Sequence, residues 1–187
     1  TWQDGTSSGD GKGGWTDEGA NDFSHFMPPR LDRESEFYQA VYNEQLANKS
    51  WLLGLPFDIP ADGNKEKACV VVGTSNSPEE VAGLTIGQAA GQIFFLGTAT
   101  FNGKGIFIVH YEDGSSLEVA TLFPDWWTAA SSEGAKVAWT GVNPKTQARV
   151  SCFVQPWRNP KPQKKILTIE FRGKHVVLLG ITIEPPG

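Results

Sequence analysis

The sequence predicts an all-β fold: a jelly-roll β-sandwich of two antiparallel sheets with at most one short helix. Three observations predict it. Short apolar or alternating runs recur from residue 51 onward. Between them stand turn formers, among 21 glycines and 12 prolines. Helix-period apolar spacing is confined to one stretch, residues 33–48. A chain of 187 residues can bury a full core without disulfide or metal staples. No composition break divides it, so residues 1–187 read as one domain.

The elements follow in order. Residues 1–22 are rich in Gly, Ser and Asp, a composition that suits an unordered leader. Trp2, Trp15 and a dense set of oxygen side chains point instead to a segment tied down in a tight loop. In residues 33–48, Phe37, Val41 and Leu46 form the helical stripe. Residues 51–59 are an apolar run closed by Pro60 and read as a strand. Residues 68–72, 92–96 and 104–111 follow, with Phe101-Asn102-Gly103 as a turn before the last. Asp113-Gly114 is a hairpin signal. It leads into the alternating run 116–120. Residues 136–141, 149–155, 165–171 and 176–184 complete the set.

Charge and motif content exclude several functions. A net charge of −5 and a pI near 5.2 argue against a nucleic-acid partner. The group Lys161, Lys164 and Lys165 is too short to alter that and reads as a solvated loop. No stretch approaches the ~18 apolar residues of a membrane span. The chain opens on a polar segment without a signal sequence, as expected of a domain excised from a longer secreted or cell-surface protein. There is no GxSxG elbow, HExxH helix or P-loop. His110 and His175 fall in expected strands and read as structural. Cys69 and Cys152 lie in apolar runs, as two buried thiols or as one disulfide, and no CxxC pair suggests zinc. Asp58, Glu112, Asp113, Asp125, Glu170 and Glu184 could supply the carboxylates of a small glycoside hydrolase or lyase, but nothing in the sequence pairs them. A structural interaction domain of a larger secreted protein is the other alternative.

The aromatic residues carry more information. Seven tryptophans occur, two of them adjacent as Trp126-Trp127. In a strand, such neighbours point to opposite faces. A flat indole complements the apolar face of a pyranose ring, and nearby polar side chains fix the hydroxyls. Asp125, Asn143, Gln155, Arg158 and Asn159 are the polar groups at hand. Trp157 sits between Pro156 and Pro160 in a loop-like segment. Trp51 and Trp139 read as core. The candidate carbohydrate-binding set is therefore Trp126, Trp127 and Trp157 with Asp125, Arg158 and Asn143. Asp17, Glu18, Asn21 and Asp22 are hard oxygen donors in a glycine-rich loop, the chemistry Ca²⁺ prefers.

Several segments, in this order, resemble a known family: Gly14-Trp15-Thr16-Asp17-Glu18-Gly19-Ala20-Asn21-Asp22, Gly54-Leu55-Pro56-Phe57-Asp58-Ile59, Val109-His110-Tyr111-Glu112-Asp113-Gly114-Ser115, Asp125-Trp126-Trp127, Val137-Ala138-Trp139-Thr140-Gly141-Val142-Asn143-Pro144, Trp157-Arg158-Asn159-Pro160 and Ile181-Thr182-Ile183-Glu184. They look like the galactose-binding-like β-sandwich modules appended to bacterial glycoside hydrolases. The resemblance implies a jelly roll with one structural Ca²⁺ held by Asp17, Asn21, Asp22 and a last-strand carboxylate, Glu184. It also implies non-catalytic binding of a polysaccharide of plant cell-wall type. Any catalysis would belong to a covalently linked domain. A monomeric, extracellular module is expected.

Overall fold

The computed structural model describes residues 51–57, 70–73, 78–99, 103–126, 128, 130–132, 134–142 and 149–187. For Trp51, Gly141, Val142, Arg149 and Val150 it describes the backbone alone. Among the described residues there are strands and no helix; the expected helix over 33–48 and the loop 1–22 lie outside them. The strands are β1 (Trp51–Leu52), β2 (Leu55–Pro56), β3 (Val70–Val72), β4 (Glu80–Ala89), β5 (Gln92–Ala99), β6 (Lys104–Tyr111), β7 (Ser116–Leu122), β8 (Lys136–Val142), β9 (Arg149–Arg158), β10 (Lys165–Gly173) and β11 (Val176–Glu184).

A four-stranded sheet runs β4-β10-β6-β7, a five-stranded sheet runs β3-β11-β5-β9-β8, and β1 pairs with β2 as a separate hairpin. Every strand pairing is antiparallel. This is the two-sheet sandwich that the sequence predicts. From β3 onward the chain passes repeatedly between the sheets, and only β6–β7 and β8–β9 are sequential neighbours within one sheet.

Period-two alternation sends one face of each sheet inward. Phe107, Val109 and Tyr111 of β6 and Ile166, Ile169 and Phe171 of β10 meet Ile93 and Phe95 of β5, Phe153 of β9 and Val176 and Leu178 of β11. Phe107 lies between Phe95 (3.8 Å between ring centroids) and Phe171 (4.4 Å), with near-parallel planes. Burying each such ring contributes about 2–3 kcal/mol.

The outer face of the five-stranded sheet is also covered in part. Leu96, Val154, Val71 and Val177 are buried but lie outside the inter-sheet cluster. Phe57, just after β2, packs over Gly180, where an added Cβ would stand 3.2 Å from its ring. Thr182 Oγ1 donates to the Pro56 carbonyl. Strands buried on both faces lose their alternation, which is why Val70-Val71-Val72 reads as a continuous apolar run.

Three expectations are corrected. Residues 51–57 form a hairpin, not one strand: Leu53 (φ 55°) and Gly54 (φ 76°) make a two-residue loop with both φ positive, the type I′ geometry. β4 interrupts a region with no expected strand. Gly83 and Gly87, at φ 77° and 72°, each fall where β4 carries one residue more than β10 between paired positions. These bulges spoil the period of two, so Val81, Leu84 and Ile86 all face the core despite uneven spacing. His175 is in the β10–β11 turn (φ 56°), not a strand. Cys152 is a buried free thiol; Cys69 lies outside the described residues.

Candidate ligand-binding cleft

Gln92, the first residue of β5, pairs with Arg158 of β9 on one side and Glu184 of β11 on the other. Directly opposed residues of antiparallel neighbours share a face. A guanidinium, an amide and a carboxylate therefore form one row across three strands, about 10 Å from end to end at two strand spacings. Arg158 and Glu184 are exposed and Gln92 is half-buried. Among the described residues, none of the three side chains hydrogen-bonds or ion-pairs with another group. Gly91, Asn159, Pro162, Pro185 and Gly187 complete a cleft of about 390 Å³ around the row.

The local sequence builds this pole of the sandwich. The β4–β5 turn is pinned at Gly91, whose N–H donates to the Glu184 carbonyl (2.8 Å) and whose carbonyl accepts from the Asn159 N–H (3.0 Å). A side chain at Gly91 would stand 3.0 Å from the Pro185 carbonyl oxygen, so the turn sits against the end of β11. Pro162 and Pro185 give two walls a fixed φ. Behind the cleft, Tyr111 Oη donates to Asn159 Oδ1 (2.7 Å). Burial, with Asp113 nearby, raises the Tyr111 pKa and keeps the phenol a donor. The Lys161 ammonium stands 4.8 Å from the Tyr111 ring centroid and donates to Ser115 Oγ (2.8 Å). Ser115 Oγ in turn donates to Asp113 Oδ1 (2.6 Å). Lys164 pairs with the same carboxylate, and hydrogen bonds from Lys164 and Ser115 hold Asp113 below the usual carboxylate range.

A second cleft of about 490 Å³ lies at the opposite pole, lined by Gly73, Glu79, Glu80, Arg172, Gly173 and Lys174. Its guanidinium is engaged: Arg172 Nε pairs with Glu80 (2.8 Å) and with Glu170. Burial opposes the charge, yet the two carboxylates hold the Arg172 pKa above its ordinary value.

The sequence-derived binding set does not converge. Asp125 bridges Ala99, the last residue of β5, whereas Arg158 pairs with Gln92, the first. The length of β5 separates them by about 23 Å. Trp126 is 1% exposed, so no sugar ring can lie on it. Its main-chain N–H donates to Ala99 O and its main-chain carbonyl accepts from Ser151 N, which threads the backbone between β5 and β9. Trp157 points inward and packs, half-buried, against the core. Trp139 is core, as expected. Gln155 accepts from Leu122 N (3.2 Å), linking β9 to the edge strand β7 of the other sheet. Trp127 and Asn143 lie outside the described residues, as do Asp17, Asn21 and Asp22 of the expected calcium set. Glu184, the fourth expected ligand, lines the cleft. Among the described residues no group of three His, Cys, Asp or Glu side chains is placed to hold a metal. Gln92 was missed by sequence reasoning, because strand register alone brings it between Arg158 and Glu184. No family model and no curated protein matches the chain.

Proposed function

We propose that this chain is a non-catalytic module that binds a polysaccharide or oligosaccharide at the pole lined by Gln92, Arg158 and Glu184. It would serve to hold a covalently linked, extracellular carbohydrate-active domain near its polymer. One observation carries the reading: a cationic donor, an amide and an anionic acceptor stand in one open row, with no protein partner among the described residues. A hydroxyl-rich ligand needs both donors and acceptors, and this row supplies both. Its formal charges cancel, which favours a neutral glycan over an acidic one. The ordering of the tryptophans lends no support, since Trp126 and Trp157 face inward. The resemblance of the ordered sequence motifs to galactose-binding-like modules supports the glycan class. The same resemblance supports a structural Ca²⁺ at the N-terminal oxygen donors Asp17, Asn21 and Asp22, while Glu184, the fourth ligand that the resemblance implies, is assigned here to the glycan row and not to the metal.

Affinity electrophoresis through neutral and acidic polysaccharides tests the reading. Arg158→Ala should weaken retention by roughly 10-fold or more, the loss of one hydrogen bond to a charged group. Its melting temperature should match that of the unmodified protein. Retention by acidic polymers alone, or release of reducing sugar from any polymer, would overturn the proposal.

A further inference from the structure

Asn159 is 2% exposed and its side-chain amide is fully engaged. Oδ1 accepts from Tyr111 Oη (2.7 Å) and from Lys161 N (2.9 Å). Nδ2 donates to Ala90 O (2.8 Å) and to Lys161 O (3.1 Å). Its main-chain N–H donates to Gly91 O, and Gly91 N–H donates to Glu184 O. One buried amide thus ties together the β4–β5 turn, the end of β9, the loop at Lys161-Pro162 and, through Gly91, the end of β11. Those four segments are the walls of the cleft. Tyr111 fixes the amide from β6, a strand of the opposite sheet. The position demands two acceptor sites and two donors on one short planar group. Aspartate would lose both donors, and an apolar residue would strand the Tyr111 hydroxyl and the Ala90 carbonyl.

We infer that Asn159 is a positioning residue, anchored by Tyr111, that preorganises the Arg158–Gln92–Glu184 row for its ligand. This rests on the cleft being the binding site. A site whose walls are held before binding loses less freedom when the ligand arrives. Loosening the walls should therefore lower affinity while every contacting side chain remains in place.

The test compares four variants by titration calorimetry with a neutral galactomannan and by thermal melting. Tyr111→Phe keeps the ring and removes one donor. Asn159→Asp keeps the shape and removes two. Thr98→Val removes a buried hydrogen bond to Ser151 O (3.1 Å) near the far end of β5 and serves as the stability control. Arg158→Ala tests the cleft itself. Tyr111→Phe and Asn159→Asp should each bind about 3- to 30-fold more weakly, the scale of one or two hydrogen bonds. Thr98→Val should bind as the unmodified protein does at a comparable loss of melting temperature. Asn159→Asp should also regain affinity between about pH 8 and 5.5, as the buried carboxyl takes up a proton and becomes a donor. The unmodified protein should show no such rise. Full affinity in both Tyr111→Phe and Asn159→Asp overturns the positioning role alone, as does an equal loss in Thr98→Val. Full affinity in Arg158→Ala, or no binding of galactomannan by the unmodified protein, overturns the cleft reading and the positioning role with it.

Discussion

Phe95 and Phe107 stack face to face across the space between the two sheets, 3.8 Å between centroids and 11° from parallel. Phe171 continues the stack on the other side of Phe107. The middle ring is wholly buried and stacks on one ring from each sheet, so it couples them directly.

Phe107→Ala should therefore cost about 3–5 kcal/mol, the transfer term plus a cavity that two rigid neighbours cannot fill. Urea denaturation measures it. A cost below about 1 kcal/mol would mean that the stack contributes little to holding the sheets together.

Burial pushes the Cys152 thiol up to about 12. A folded pKa above the unfolded value of about 8.5 means that the folded chain holds the proton more tightly. The associated stability is fully present below about pH 8.5 and is lost as pH rises towards about 12. Comparing Cys152→Ala with the unmodified protein at pH 7 and pH 10 should show the stability difference shifting in favour of the variant at high pH. Alkylation of Cys152 at pH 8, followed by peptide mapping, should be negligible in the folded protein and fast in urea.

Asp113 has the opposite sign. Lys164 and Ser115 hold its folded pKa below the usual carboxylate range. Its contribution is present above the unfolded value of about 3.9 and fades as pH falls through the lower folded value. The melting-temperature difference between the unmodified protein and Asp113→Asn should shrink below about pH 4. It should also shrink with added salt, because the pair is exposed. A difference independent of both would assign the effect to the shape of the turn instead.

Calcium is tested by chelation. EDTA should lower the melting temperature and excess Ca²⁺ should restore it, as binding to the folded state alone requires. An unchanged melting curve removes the metal from the proposal.

Much of the sandwich was legible because its strands announce themselves locally. β6 alternates from Gly105 through Phe107 and Val109 to Tyr111, and Asp113-Gly114 turns the chain into β7, with Gly114 at φ 78°. β4 was not legible, since two bulges shift its parity and Gly83 and Gly87 resemble breaks between elements. The binding site was least legible. The tryptophan count gave no direction for any ring, and Trp126 and Trp157 turn inward. The row of Gln92, Arg158 and Glu184 exists only through the pairing of strands far apart in the chain. Arg158 and Glu184 were both singled out, but for different tasks and beside different neighbours.

The places of β10 and β11 have a consequence for how the molecule is made. These last two strands lie inside their sheets, β10 between β4 and β6 and β11 between β3 and β5. Until they are synthesised, β3 and β4 lack the neighbours to which they hydrogen-bond. Assembly must wait for β10 and β11 to leave the ribosome and then close long chain loops, so folding should be slow. A nascent chain halted before β10 would expose unpaired strands, the state in which this protein is most open to aggregation.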